Sequence, residues 1–412
     1  MLNWASQFNI CCFLDDHHYG IAPHTYECLL GAGALHTLET AAGNAFESLR
    51  EFSDQHNDWL FGHFAYDLKN ETEILTSSHP DLIGFADMFF YVPEFVIQLR
   101  KTEMIISSIS RDPGIVFDEI CNTLTVENNR QKKVSGITSR FSKEEYLHVI
   151  RSLQKHILRG DCYEINFCQE FFAENAFIDP VAVYVALTRI SPNPFTAFYK
   201  TDDKYLLCAS PERYIKKTGA HILSQPVKGT WDRDLTSSTK DEAKKAQLYN
   251  SAKDRTENVM IVDLVRNDLS RICEESSVKV DELFGIYSFP QVHQMISTIS
   301  GELKKDLHWT EAIRATFPMG SMTGAPKKRV MELIEKYERT KRGIFSGAVG
   351  YVTPARDFDF NVVIRSILYN KTARYLSYQA GSGITFYSDP ENEFEECLLK
   401  AAAIRKVLSG EA

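Results

Sequence analysis

The feature that most constrains this fold is how apolar residues cluster in runs of strand length, with no helix between neighbouring runs. Residues 85–100 (FADMFFYVPEFVIQLR) and 104–110 (MIISSIS) are rich in β-branched and aromatic side chains, the composition of strands. One modest helix is expected near residues 35–52. A longer helix opens at residue 142, where Ser142 and Glu145 stand in capping-box spacing; Leu147, Ile150, Leu153 and Ile157 share one face, and Gly160 ends it. Strands are expected at YEINFCQEFFA and YLLCAS, and helices at 180–189, 240–265, 310–316, 325–337 and 391–408. Long helices segregated from meandering strands predict an α+β fold with mainly antiparallel sheets. The polar segment 126–136 (VENNRQKKVSG) reads as a linker between regions 1–135 and 136–412, with the first region packing into the same globule.

With 412 residues, 44% of them hydrophobic and 25% charged, the chain can bury a large core. A net charge of -9 argues against a nucleic-acid partner but leaves room for a small cationic pocket. No apolar run is long enough to span a bilayer, and the start lacks the charged region of a signal peptide. Nine scattered cysteines without C-x-x-C pairing suit reduced thiols in a cytoplasmic protein.

Several constellations could carry chemistry. Lys228 precedes Gly229 and Thr230, which read as a backbone bend. A surface lysine at a strand end is the plain reading. The alternative is an amine aimed into a cleft, which requires a pKa lowered by burial or by neighbouring cations. Asp254 with Glu257, and Glu393 with Glu396, are each three residues apart, so on helices each pair shares a face. Two such helices facing each other would converge four carboxylates on a hard cation such as Mg²⁺; two solvated acidic faces are the alternative. The run 259–272 (VMIVDLVRNDLSRI) reads as a buried helix whose Asp263, Arg266 and Asp268 are paired in the core or sit at a site. In FPMGSMTGAPKK, Pro326 suits the first helical position, and the small residues before it leave backbone N–H groups open to an anion. Gly381 to Gly383 form a small-residue loop, and Arg365 is a lone charge in a β-like apolar run that calls for an anionic partner. Glu212 follows a short strand, and His293 lies among apolar neighbours, a setting typical of a satisfied core histidine.

Taken in order, SPER, QPVKGT, DRTENVMIVDLVRNDLSRI, FPMGSMTGAPK, GAVGY, VIRSI, AGSGI and SDPENEFEE resemble the chorismate-utilising enzymes. This family includes anthranilate synthase component I, aminodeoxychorismate synthase component I, and isochorismate and salicylate synthases. The resemblance covers roughly residues 141–408, with a weaker match before. It implies an anthranilate synthase component I-like fold, two mainly antiparallel sheets packed together with helices outside.

Lysine in P-x-K-G-T marks the aminodeoxychorismate synthase branch, since anthranilate synthases carry alanine there. By that resemblance Lys228 attacks C2 of chorismate as the C4 hydroxyl leaves, Glu212 is the general acid, and His293 is a catalytic histidine supporting the ring. Asp254, Glu257, Glu393 and Glu396 match the Mg²⁺ positions, with Glu257 and Glu396 as direct ligands. Gly229, Thr230, Thr323, Arg365, Gly381, Ser382 and Gly383 match substrate-binding positions, Arg365 facing the enolpyruvyl carboxylate. Two residues depart from the pattern: Phe345 stands where relatives carry tyrosine. Glu164 stands where aminating relatives carry glutamine and water-adding ones lysine, so it is read as orienting ammonium or acting as a base.

With no glutaminase signature in the chain, ammonia is expected from a separate glutamine amidotransferase subunit, on a route to 4-aminobenzoate and folate. The alternatives are an isochorismate or salicylate synthase, disfavoured by Glu164, an anthranilate synthase, disfavoured by Lys228, and a non-catalytic regulatory subunit.

Overall fold

The computed structural model describes residues 1–19, 25–124 and 133–411. Two antiparallel sheets, of eleven and ten strands, form its centre. The strand Met88–Val92 shows why one sequence run serves two cores. Phe89 and Tyr91 enter the layer between the sheets, where they join Cys12, Tyr199 and Leu206 of the opposite sheet. Met88, Phe90 and Val92 point the other way, into the layer beneath the helices Ala45–Gln55, Ala252–Ile272 and Trp309–Thr316. Side chains alternate along a strand, so a strand covered on both faces must be apolar throughout. The eleven-stranded sheet is covered likewise, its outer face packing on the helices Lys143–Leu158, Pro180–Ile190, Lys327–Tyr337 and Pro390–Ser409. The order is therefore helices, sheet, sheet, helices.

The capping box at Ser142 and Glu145 forms as expected. Other expectations need correction. Residues 36–40 are a strand paired with Met88–Val92, and the helix starts only at Ala45. The expected helix 240–265 is two helices, Ser238–Asn250 and Ala252–Ile272, divided at Ser251, whose hydroxyl caps the second by accepting from the Asp254 amide. Pro326 is the residue before the helix Lys327–Tyr337 and not its first member. Asp263 and Arg266 form an exposed ion pair, while Asp268 alone is buried, paired with Lys327 at 2.7 Å. Their helix buries a stripe and leaves Val259 40% exposed, so it is not apolar all round.

Of the expected linker, residues 126–132 lie outside the described residues. Strands from both sides of it share both sheets: Ile10–Asp15 pairs with Phe195–Thr201, and Leu60–Phe64 with Ala348–Val352.

Candidate active site

A cavity of about 650 Å³ lies where the strand Val227–Asp232 meets the helices Ala252–Ile272 and Pro390–Ser409. Lys228 reaches it through a bulge. The pairing with Val292–Glu302 slips between Val227 and Thr230, and Gly229 takes φ +93 there. The extra residue breaks the ladder and re-aims the lysine, which only a glycine neighbour in the left-handed region permits without strain.

Lys228 donates from Nζ to Oε1 of Glu164 at 2.5 Å, and both side chains are buried. The pair fits because position 383 has no side chain. A Cβ there would lie 2.6 Å from Glu164 Oε1 and 2.8 Å from Lys228 Nζ. Burial by itself pulls the ammonium pKa down, but Glu164, Glu257 and Glu212 together outweigh it and the pKa is raised. This corrects the expectation of a lowered lysine: its surroundings are anionic.

Glu212 is fully enclosed, and burial pushes its carboxyl up to about 7 against the smaller pull of Ser321 and Lys228. Burial also raises Glu257 to about 7, offset in part by Lys228. Glu396 is held at about 2 by Lys400, whose ammonium lies 2.7 Å away.

The two acidic helices do face each other, and a lysine sits between them. Nζ of Lys253 lies 3.1 Å from Glu393, 3.9 Å from Glu257 and 3.9 Å from Glu396. Among the described residues no three acidic, histidine or cysteine side chains stand grouped as a metal site. Two buried oxygens of the cluster, Glu257 Oε1 and Glu393 Oε2, nevertheless accept no hydrogen bond. Hard, buried oxygens that accept no hydrogen bond suit a divalent cation of the magnesium type. Asp254 departs from the expected quartet: it accepts from Trp231 Nε1 at 3.3 Å and packs on Gly229.

Across the cavity, Arg365 sits at φ +53, a conformation an L-residue holds only when its surroundings enforce it. Among the described residues its hydrogen bond runs from Nη1 to the Lys400 carbonyl at 2.9 Å, and no carboxylate lies within ion-pair distance. Burial therefore lowers the guanidinium to about 10, with only a weak opposing pull from Glu396. Lys400 itself donates to the Gly381 carbonyl at 3.0 Å. A half-buried cation at a cavity wall, without a countercharge among the described residues, is a site prepared for an anion.

Gly229, Thr230, Gly381 and Gly383 line this cavity with Lys228, Glu212 and Arg365. Three expected residues do not. Gly381 to Gly383 lie in the strand Tyr375–Ile384 and not in a loop, so Ser382 points to the opposite face from its two glycine neighbours. Thr323 spends its hydroxyl on the Met319 and Gly320 carbonyls. His293 is buried behind the wall, with Nδ1 on Ser288 and Nε2 on Asp241, each at 2.9 Å, and its neighbour Gln294 faces the cavity instead. Its position gives a direct catalytic role no support.

Lys253 and Asn166 line the cavity without a role read from the sequence, as do Ser321 of the small-residue segment before Pro326 and Lys400, which follows the acidic motif. Lys400 stands four residues after Glu396 on one helix face, a spacing that could have revealed it.

A family model for chorismate binding enzymes matches residues 18–406. Aminodeoxychorismate synthase component 1 of Salmonella typhimurium is 36% identical over 344 residues, 83% of this chain and 75% of that protein. The chloroplastic aminodeoxychorismate synthase of Arabidopsis thaliana is 40% identical over 68% of this chain, which spans only 30% of that longer protein. Anthranilate synthase component I of Streptococcus pneumoniae superposes with a TM-score of 0.81 at 24% identity, over 94% of each chain.

Proposed function

Because the chain belongs to the chorismate-binding enzyme family, we propose that it is the aminating component of an aminodeoxychorismate synthase, converting chorismate and ammonia to 4-amino-4-deoxychorismate. Relatives of that name, matching over most of the chain, support the activity. The observation that carries it is the cavity itself: a buried amine, Lys228, lies among carboxylates on one wall, and Arg365 stands without a countercharge on the other.

In this reading Arg365 and Lys400 anchor substrate carboxylates. The Lys228 amine forms a bond to C2 of the ring while the C4–O bond breaks. Glu212 supplies the proton that lets the hydroxyl depart as water, since hydroxide is a poor leaving group. A carboxyl raised to about 7 retains that proton near neutrality. Ammonia then bonds to C4, the C2–N bond breaks, and its electron pair returns to Lys228. The new ammonium group on C4 reprotonates Glu212, which closes the cycle.

Glu257, Glu393 and Glu396 would hold a magnesium ion, a fit supported by the buried oxygens of Glu257 and Glu393 that accept no hydrogen bond. When bound it would supply positive charge against the ring carboxylate. Lys253 now provides that charge and would be displaced.

Ammonia would come from a separate glutamine amidotransferase, a reading supported by the component 1 names of the relatives. Nine unpaired cysteines, eight of them buried, support a reducing, cytoplasmic setting. No helix among the described residues is long and apolar enough to cross a membrane.

The test is mass spectrometry of the product from chorismate, ammonium and Mg²⁺, with Lys228→Ala alongside. The expected result is 4-amino-4-deoxychorismate that falls sharply in the variant. Isochorismate, salicylate or anthranilate as the product would overturn the assignment.

A further inference from the structure

A nucleophilic Lys228 must first lose a proton, and its surroundings hold that proton firmly. Four carboxylates face it: Glu164 from the strand Glu164–Ala173, Glu212 ahead of the strand Arg213–Thr218, Glu257 from the helix Ala252–Ile272 and Glu396 from the helix Pro390–Ser409. Of these only Glu164 touches it, at 2.5 Å. Glu164 is 1% exposed, and its second oxygen, Oε2, is buried without a hydrogen-bond partner. Glu164 already accepts the hydrogen bond along which the proton would move. Gly383 leaves the space that lets the two groups meet.

We infer that Glu164 is a catalytic residue, the proton acceptor that converts the Lys228 ammonium into the attacking amine and returns the proton when the lysine is released. This deepens the proposed reading and rests on Lys228 acting as the nucleophile. The transfer balances within the pair. The N–H bond of Lys228 breaks, an O–H bond forms on Glu164, and neutral amine and neutral carboxyl replace ammonium and carboxylate. A low-dielectric site favours that exchange, because it removes two charges where charge is poorly solvated. After ammonia displaces the lysine, the free amine recovers the same proton, and the pair is reset without exchange with solvent.

The test compares Glu164→Gln with the wild type in steady-state kinetics across pH 6.5 to 9, with chorismate and ammonium both varied. Glutamine keeps the shape and can still meet Lys228, but it cannot take a proton. The expected result is a kcat lowered on the order of 10²- to 10³-fold at pH 7 with both KM values little changed. The ratio of variant to wild-type kcat should then rise about tenfold per pH unit, because the variant lysine must titrate into water while the wild-type transfer is internal. Glu164→Asp, which keeps an acceptor, should restore a pH-independent ratio. A constant ratio for the glutamine variant would make Glu164 structural and overturn the inference. So would a loss confined to the KM for ammonium, which would make it an ammonium site. If Lys228→Ala retains wild-type amination, the underlying reading fails instead, and the two failures are separable.

Discussion

Arg342, which is buried, and Arg365, which is half-buried at the cavity, are held in opposite ways. Arg342 makes a two-pronged pair with Glu338 at 2.6 and 3.0 Å, and donates to the carbonyls of Met322 (2.7 Å) and Asn166 (2.8 Å). Burial would lower its pKa, but Glu338 more than compensates and the value is raised. Among the described residues Arg365 has one backbone carbonyl and no carboxylate, and its pKa falls to about 10. The first is a complete structural unit, tying the strand of Asn166 and Cys168 to the turn of Ser321 and Met322 behind the cavity wall. The second is an incomplete unit whose missing half is an anion. A sheltered charge is thus informative through the partner it lacks.

The largest effect that would break or sharpen this contrast is on stability. Arg342→Met strands the Glu338 carboxylate in the core, so thermal or urea denaturation should show a loss of about 3–5 kcal/mol. Arg365→Met removes a charge that has no protein partner to strand. It should leave stability within about 1 kcal/mol of the wild type, yet lower kcat/KM for chorismate on the order of 10²-fold or more. If both variants unfold alike, Arg365 belongs to the fold and the contrast fails.

A smaller effect concerns pH. The Glu212 carboxyl stands near 7 in the folded protein, above its ordinary value of 4.5, because burial disfavours its charged form. Its protonation therefore favours folding below about pH 4.5, and that contribution is lost as pH rises through about 7. Melting scans between pH 4.5 and 8 should show a decline of order 1–3 kcal/mol from this group, absent in Glu212→Gln. A melting profile that does not change with the variant would place Glu212 in contact with solvent.

Local chemistry was legible where it acts locally. Ser142 and Glu145 cap their helix because both partners lie within one turn. Lys228 before a bend, Glu212 after a short strand, Arg365 as a lone charge in an apolar run, and Gly381 and Gly383 in a small-residue segment all line the cavity. The loop expected at Gly381 to Gly383 is a strand, whose two-residue period turns Ser382 away from its neighbours. Ser251 was missed as a helix break because its cap bond involves only a hydroxyl and one amide. Lys253 stands four residues before Glu257 on one helix face, a local signal, but its closest partner, Glu393, comes from a helix far along the chain.

Sequence by itself determined most of the secondary elements and the inventory of amines, acids and glycines, because propensity, periodicity and capping are short-range forces. Only the tertiary structure decided which acid meets which base. Lys228 was expected to carry a lowered pKa, and it carries a raised one because Glu164, Glu212 and Glu257, distant in the chain, converge on it in a poorly solvated cavity. Electrostatic energies depend on distance and burial in space, and neither is fixed until the sheets have packed.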